Sequence, residues 1–160
     1  MGTTRTGSAG TSASAAGDPL ELERQVCFAL SVASRTVLNV YRPLLEPMGL
    51  THPQYLVMLA LWQHAPMSVK DVGDLLELDS GTLSPLLKRL ESSGLVTRSR
   101  DPQDERALML SLTEKGRALR RQARRIPEQV VSRLGIDVAE LDDLHRALTR
   151  VIDAAVTATA

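Results

Sequence analysis

"SVKDVGDLLELDSGTLSPLLKRLESSGLVTRSRDPQDERALMLSLT", residues 68–113, carries two helix starts and two alternating runs in close succession. Ser68 can cap the amide of Asp71. Behind it Val69, Val72, Leu75 and Leu76 form one apolar face at helical spacing. Only Glu77 and Leu78 precede a second start signal, Asp79 or Ser80. From there "GTLSPLLKRLES" reads as a helix as far as Gly94, which supplies the left-handed residue that ends it. Pro85 lies past the first turn, removes one backbone hydrogen bond and favours a bend. Two helices, each of about three turns, on so short a link form a helix-turn-helix. After Gly94 the pattern alternates through Val96, Thr97, Arg98, Ser99 and Arg100. It alternates again over residues 107–112, beyond a polar turn containing Asp101 and Pro102. That is a β-hairpin, and a hairpin directly after a helix-turn-helix is a winged helix.

The flanks read as helices. Upstream, Thr51 and Gln54 have capping-box spacing, and the helix they start stops before Pro66. An earlier helix is expected from Pro19, with Asp18 as its cap and apolar positions Leu22, Val26, Leu30, Ala33, Val37, Leu38 and Val40. "RPLLEPMGL" ends it in a short helix and a turn at Gly49. Downstream, Thr113 caps a helix that Pro127 should kink. Gly135 separates that helix from the last one, where Asp137 and Glu140 repeat the capping-box spacing. The final helix carries Val138, Leu141, Leu144, Leu148, Val151, Ile152 and Ala155 on one stripe. The expected class is therefore mainly α with a small β-hairpin wing. Its organisation is a disordered tail over 1–17, an N-terminal dimerisation and sensor segment over 18–50, a winged helix-turn-helix over 51–113, and C-terminal dimerisation helices over 114–160. The tail follows from its Gly, Ser, Thr and Ala content, which cannot bury enough surface to offset ordering entropy.

The totals narrow the function. The 160 residues are 43% hydrophobic and 24% charged, with 19 basic and 19 acidic side chains. Zero net charge argues against a broad polyanion binder but leaves room for a local DNA site made by a few arginines and lysines. No apolar run approaches the ~20 residues that span a bilayer, so no membrane role is expected. The single cysteine, Cys27, cannot form an internal disulfide, and a cytoplasmic setting is expected. His52, His64 and His145 lack metal-ligand spacing. There is no Gly-rich phosphate loop and no nucleophile elbow. The reading is no enzyme, no metal and no cofactor.

The winged helix points to double-stranded DNA. Ser80, Thr82 and Ser84 sit near the start of the recognition helix, where they can reach base edges or phosphates. Lys88 and Arg89 can rest on the backbone. The wing adds Arg98 and Arg100 on one strand and Arg106 near the tip, where an arginine can enter the narrow minor groove. The apolar terminal helices exceed what a small core can cover. A two-fold homodimer would bury them and set two recognition helices about one DNA turn apart, matching a palindromic operator. Arg117, Arg120, Arg121, Arg124 and Arg125 form a broad basic face. Solvation or pairing with acids is the ordinary reading of it, and phosphate contact is the alternative.

A family resemblance rests on "VCFAL", "YRPLLEPMGLTHPQYLVMLALW", "LDSGTLSPLLKRLESSGLVTRSRDPQDER" and "SLTEKG". Across roughly residues 20–156 the chain resembles MarR-type winged-helix repressors, and within them the one-cysteine organic hydroperoxide resistance regulators, OhrR. The resemblance implies that Cys27 is a peroxide-sensing cysteine and that Tyr41, from a partner subunit, hydrogen-bonds it. The pattern departs at Ser31, where a second tyrosine is expected, and at His52, where relatives often carry tyrosine. The implied inducer is an organic hydroperoxide. With no second cysteine, the oxidised Cys27 would condense with a low-molecular-weight thiol to a mixed disulfide, or oxidise further.

Two readings of Cys27 stay open. A lone cysteine in an apolar helical run is most often a small packing residue. In that case the chain would be a MarR-type repressor answering to a non-covalent phenolic ligand held between the domains. In the other reading Cys27 must be available as a thiolate, and its apolar surroundings, Val26, Phe28, Leu30 and Val32, favour a greasy peroxide.

Overall fold

The structure, a computed structural model, describes residues 18–104 and 107–159. The expected tail over 1–17 and Arg106 lie outside the described residues. The chain divides into two compact units, Met1–Thr36 and Val37–Ala160.

The second unit holds the winged helix, and its local signals work as read. Helix α2, His52–His64, starts where the Thr51 amide donates to Gln54 Oε1 at 2.9 Å. Ser68 Oγ accepts the Asp71 amide at 2.9 Å and opens α3, Val69–Leu76. Glu77 then takes a left-handed conformation, φ 53°, and Leu78 N–H donates to Gly73 O at 2.9 Å, which turns the chain into α4, Ser80–Ser92. Gly73 is buried in that turn: a Cβ there would lie 3.1 Å from Leu78 O and 3.6 Å from Leu83 Cδ2. A larger residue would wedge the two helices apart. Asp79, rather than Ser80, is the cap of α4. Pro85 leaves α4 continuous.

Strands β2, Val96–Arg100, and β3, Leu108–Leu112, form the wing, with Arg98 opposite Leu110 and Ser99 opposite Met109. A third strand, β1, Met67–Ser68, was not expected; it pairs with β3 through Met67 and Leu110, giving the order β1-β3-β2. Two residues are too few to show a period of two, so its pairing is written only in the tertiary structure. Leu83, Leu87 and Leu90 of α4 meet Leu45, Val57, Met58, Leu61, Val72, Val96 and Leu110 in a core where each side chain is under 2% exposed. Full burial of side chains of this kind stabilises by roughly 1.5–3 kcal/mol each.

Thr113 Oγ1 accepts the Gly116 amide and donates to Gly94 O at 2.6 Å, capping α5, Glu114–Ala123. Pro127 does not kink a long helix. It sits in the first turn of a separate helix, α6, Ile126–Leu134. Proline has no amide to contribute there and its φ suits a helix start, so the chain breaks at Arg124–Arg125 and begins again. Gly135, φ 62°, ends α6, and Glu140 Oε2 accepts the Asp137 amide ahead of α7, Val138–Thr159. No residue of α7 is buried. Among the described residues, no helix is long and apolar enough to cross a membrane.

In the first unit the long helix begins later than the sequence suggests. Asp18 Oδ1 accepts the Leu20 amide in a local turn, Leu22–Arg24 form a single 3-10 turn, and Gln25 is extended. The Gln25 side-chain amide donates to Pro19 O at 2.7 Å and Glu21 O at 3.2 Å. Those bonds offer the carbonyls an alternative to helix continuation. Helix α1 then runs Val26–Leu45, with Pro43 inside it.

Candidate functional site

The exposed surface of α4 follows from its buried one. Leu83, Leu87 and Leu90, spaced four and three apart, face the core, so Ser84, Pro85, Lys88 and Arg89 face solvent. Ser80 and Thr82 are also exposed at the first turn. Asp79 Oδ1 accepts the Thr82 amide at 2.8 Å, and the Thr82 hydroxyl donates to Asp79 Oδ2 at 2.8 Å. These bonds, the amide one foremost, hold the Asp79 carboxyl below the usual carboxylate range. Thr82 therefore serves the cap first; its hydroxyl proton is committed to Asp79, and only its oxygen is left, to accept from a base amino group.

The wing holds a second surprise. Arg98 does not point freely outward. Its Nε donates to Glu91 Oε2 at 2.9 Å, and Nη2 reaches the same oxygen. The Arg98 hydrogen bond draws the Glu91 carboxyl below its ordinary range. Glu91 escaped the sequence reading, although one feature marks it: it is an acid close to the C-terminal end of a helix, where the dipole disfavours negative charge. Arg100 is exposed on β2. Of the basic run over α5 and the turn after it, Arg117 donates to Leu112 O at 2.7 Å. Arg120, Arg121, Arg124 and Arg125 are exposed, and among the described residues no ion pair involves them.

The sensor candidates fall in different settings. Cys27 is exposed near the start of α1, contrary to the packed position that the apolar run suggests. Around it in sequence Val26 is 66% exposed, Leu30 38% and Val32 37%, and Ser31 is exposed too. The apolar surroundings exist, but in a single chain nothing in its own unit covers them. In the second unit, Tyr41 is half-buried and meets His52 edge to face, ring centroids 5.1 Å apart, with Tyr55 6.2 Å away. Burial lowers the His52 pKa from 6.5 and raises that of Tyr55, to which Tyr41 adds. His52 lines a cleft of about 600 Å³ with Leu38, Arg42, Glu46 and Leu50. Among the described residues, no three His, Cys, Asp or Glu side chains group as a metal site.

The MarR family profile matches residues 50–108, the stretch that holds α2, the helix-turn-helix and most of the wing. Over 136 residues the chain is 43% identical to the organic hydroperoxide resistance transcriptional regulator of Bacillus subtilis, covering 85% of this chain and 92% of that one. The chain belongs to the MarR family. As a member it is a DNA-binding transcriptional regulator built on a winged helix. Two solved MarR-type neighbours bear on its site. Reduced AbfR bound to DNA, a Staphylococcus epidermidis protein, is 34% identical with a TM-score of 0.75, covering 87% of this chain and 95% of that one. PcaV of Streptomyces coelicolor, solved with its natural ligand, is 28% identical with a TM-score of 0.75, covering 87% and 99%.

Proposed function

We propose that this MarR-family chain is a homodimeric repressor that senses organic hydroperoxides through Cys27 and then releases a palindromic operator. The observation that carries the reading is the lone thiol, exposed within an apolar surface, in a chain 43% identical to an organic hydroperoxide resistance regulator. The thiolate sulfur attacks the hydroperoxide O–O bond. A Cys27 sulfenic acid forms, the peroxide is reduced to its alcohol, and one proton is taken up by the leaving alkoxide. A small cellular thiol then displaces water from the sulfenic acid, leaving a mixed disulfide. In a dimer, Tyr41 of a second chain is the donor for the thiolate, and Ser31 supplies a shorter hydroxyl than the expected phenol. A bulky adduct in the apolar seam would draw the two winged helices out of register with DNA.

The dimer reading is supported by α7, where Val138, Leu144, Val151, Ile152 and Val156 are each 45% exposed or more. Apolar surface of that extent marks an interaction site. On the DNA side Ser80, Ser84, Lys88, Arg89, Arg100 and Arg106 are the contacts, with Thr82 as an acceptor.

The test is a titration of reduced protein on a palindromic duplex with and without an organic hydroperoxide, beside Cys27→Ser. Release of the wild type but not of the variant is the expected result. Equal release of both would end the sensor assignment. A second reading has its own observation: the 600 Å³ cleft carries Arg42 and His52, groups suited to a phenolic or acidic small molecule. Ligand-driven release that survives Cys27→Ser would favour it.

A further inference from the structure

The Glu91–Arg98 pair joins the two parts of the winged helix that must meet DNA together. Glu91 lies near the end of α4; Arg98 is the middle residue of β2, seven positions on, past the left-handed turn at Gly94. Both side chains are about one-third exposed, 33% for Arg98 and 37% for Glu91, and no other side-chain ion pair links α4 to the sheet among the described residues. The charges also match the local fields. An acid at a helix C-terminus opposes the dipole, and a guanidinium laid against it removes that penalty. The remaining links between α4 and the sheet are hydrogen bonds around residues 93–95, those from the Thr113 hydroxyl and the Lys115 ammonium included, and apolar packing. On its inner side the sheet is held by β1, which pairs with β3 at Leu110 and Met109. β2 is the outer edge strand, and the Glu91–Arg98 bond is what ties its middle to α4.

We infer that Glu91 is a positioning residue for DNA binding: by holding Arg98 it sets the angle between the recognition helix and the wing, so that both can enter their grooves at once. Arg98 acts through this clamp rather than on a phosphate. A protein with a loose wing spends only part of its time at the right angle, and its affinity falls by that fraction. For a single charge-assisted pair that is one-third exposed, the loss is about 1.5- to 5-fold per winged helix. Glu91 is an acid on a DNA-binding surface. If it merely held Arg98 away from DNA, removing it would tighten binding, and freeing one more phosphate contact would steepen the salt dependence by about 0.9 in log–log slope.

The experiment measures fluorescence anisotropy on one duplex, selected from a random pool by the wild-type protein, at several salt concentrations. The proteins are wild type, Glu91→Ala, Arg98→Ala, the double alanine variant, and the reversed pair Glu91→Arg with Arg98→Glu. Thermal unfolding of each shows that it is folded. The clamp requires Glu91→Ala to weaken binding about 1.5- to 5-fold per winged helix with the salt slope unchanged. It also requires the double variant to be no weaker than either single one, and the reversed pair to recover much of the loss. Tighter binding by Glu91→Ala, or a salt slope that flattens only in Arg98→Ala, would overturn the clamp and return Arg98 to the phosphate contacts. Additive losses in the double variant, or no rescue by the reversed pair, would overturn it as well.

Discussion

Gly116 lies in the "SLTEKG" stretch, and the structure shows why its size matters. A Cβ built on it would stand 2.1 Å from the Leu95 carbonyl oxygen and 3.1 Å from the carbonyl carbon. Carbon–oxygen contacts across packed backbone normally sit at about 3.3–3.6 Å, so Gly116→Ala forces α5 and the start of the wing apart by more than about 1 Å. That oxygen also accepts the Thr113 amide at 3.1 Å, and the Gly116 carbonyl accepts the buried Trp62 Nε1–H at 2.8 Å. The separation therefore strains the cap of α5 and a buried hydrogen bond together. Overpacking costs about 1–3 kcal/mol and an unmet buried donor about 1–3 kcal/mol, so a loss of about 2–4 kcal/mol is expected after partial relaxation. In a chain of this size that lowers Tm by about 4–16 °C. Far-UV circular dichroism gives Tm, and Trp62, the only tryptophan, reports the junction by fluorescence. A variant melting within about 2 °C of wild type, with unchanged emission, would refute the close-approach argument.

Two further outcomes follow from the same geometry. His52 is held neutral by burial, its folded pKa below the unfolded 6.5; the unfolded chain therefore binds more protons between those two values, and stability is full above pH 6.5 and falls as pH drops through that window. Urea midpoints at pH 7.5 and 5.5 should diverge more for wild type than for His52→Gln, and equal divergence would remove His52 as the cause. Leu144 and Ile152 are each 50% exposed on α7, so Leu144→Lys with Ile152→Lys should leave the folded monomer's Tm nearly unchanged and shift sedimentation from dimer to monomer; a persistent dimer would place the interface elsewhere.

The order of elements and the helix-turn-helix are legible in short stretches of chain. Ser68, Asp79, Thr113 and the Asp137–Glu140 pair cap the helices they were read to cap, Gly94 and Gly135 end theirs, and Arg98 and Arg100 stand on the wing. Those features were legible because a cap or a period is complete within a few residues of chain. The misreadings were local competitions. Gln25 satisfied the carbonyls of the preceding turn and delayed α1, and Pro127 began a helix instead of bending one. Features that join distant positions come from packing alone: β1 beside β3, Trp62 on Gly116 54 residues away, Arg98 on Glu91 across a turn, and a Cys27 left open to solvent. Periodicity records which face of an element is apolar. It does not record which element will cover that face, or which charge will reach across to meet another, because those depend on packing that no short stretch of chain contains.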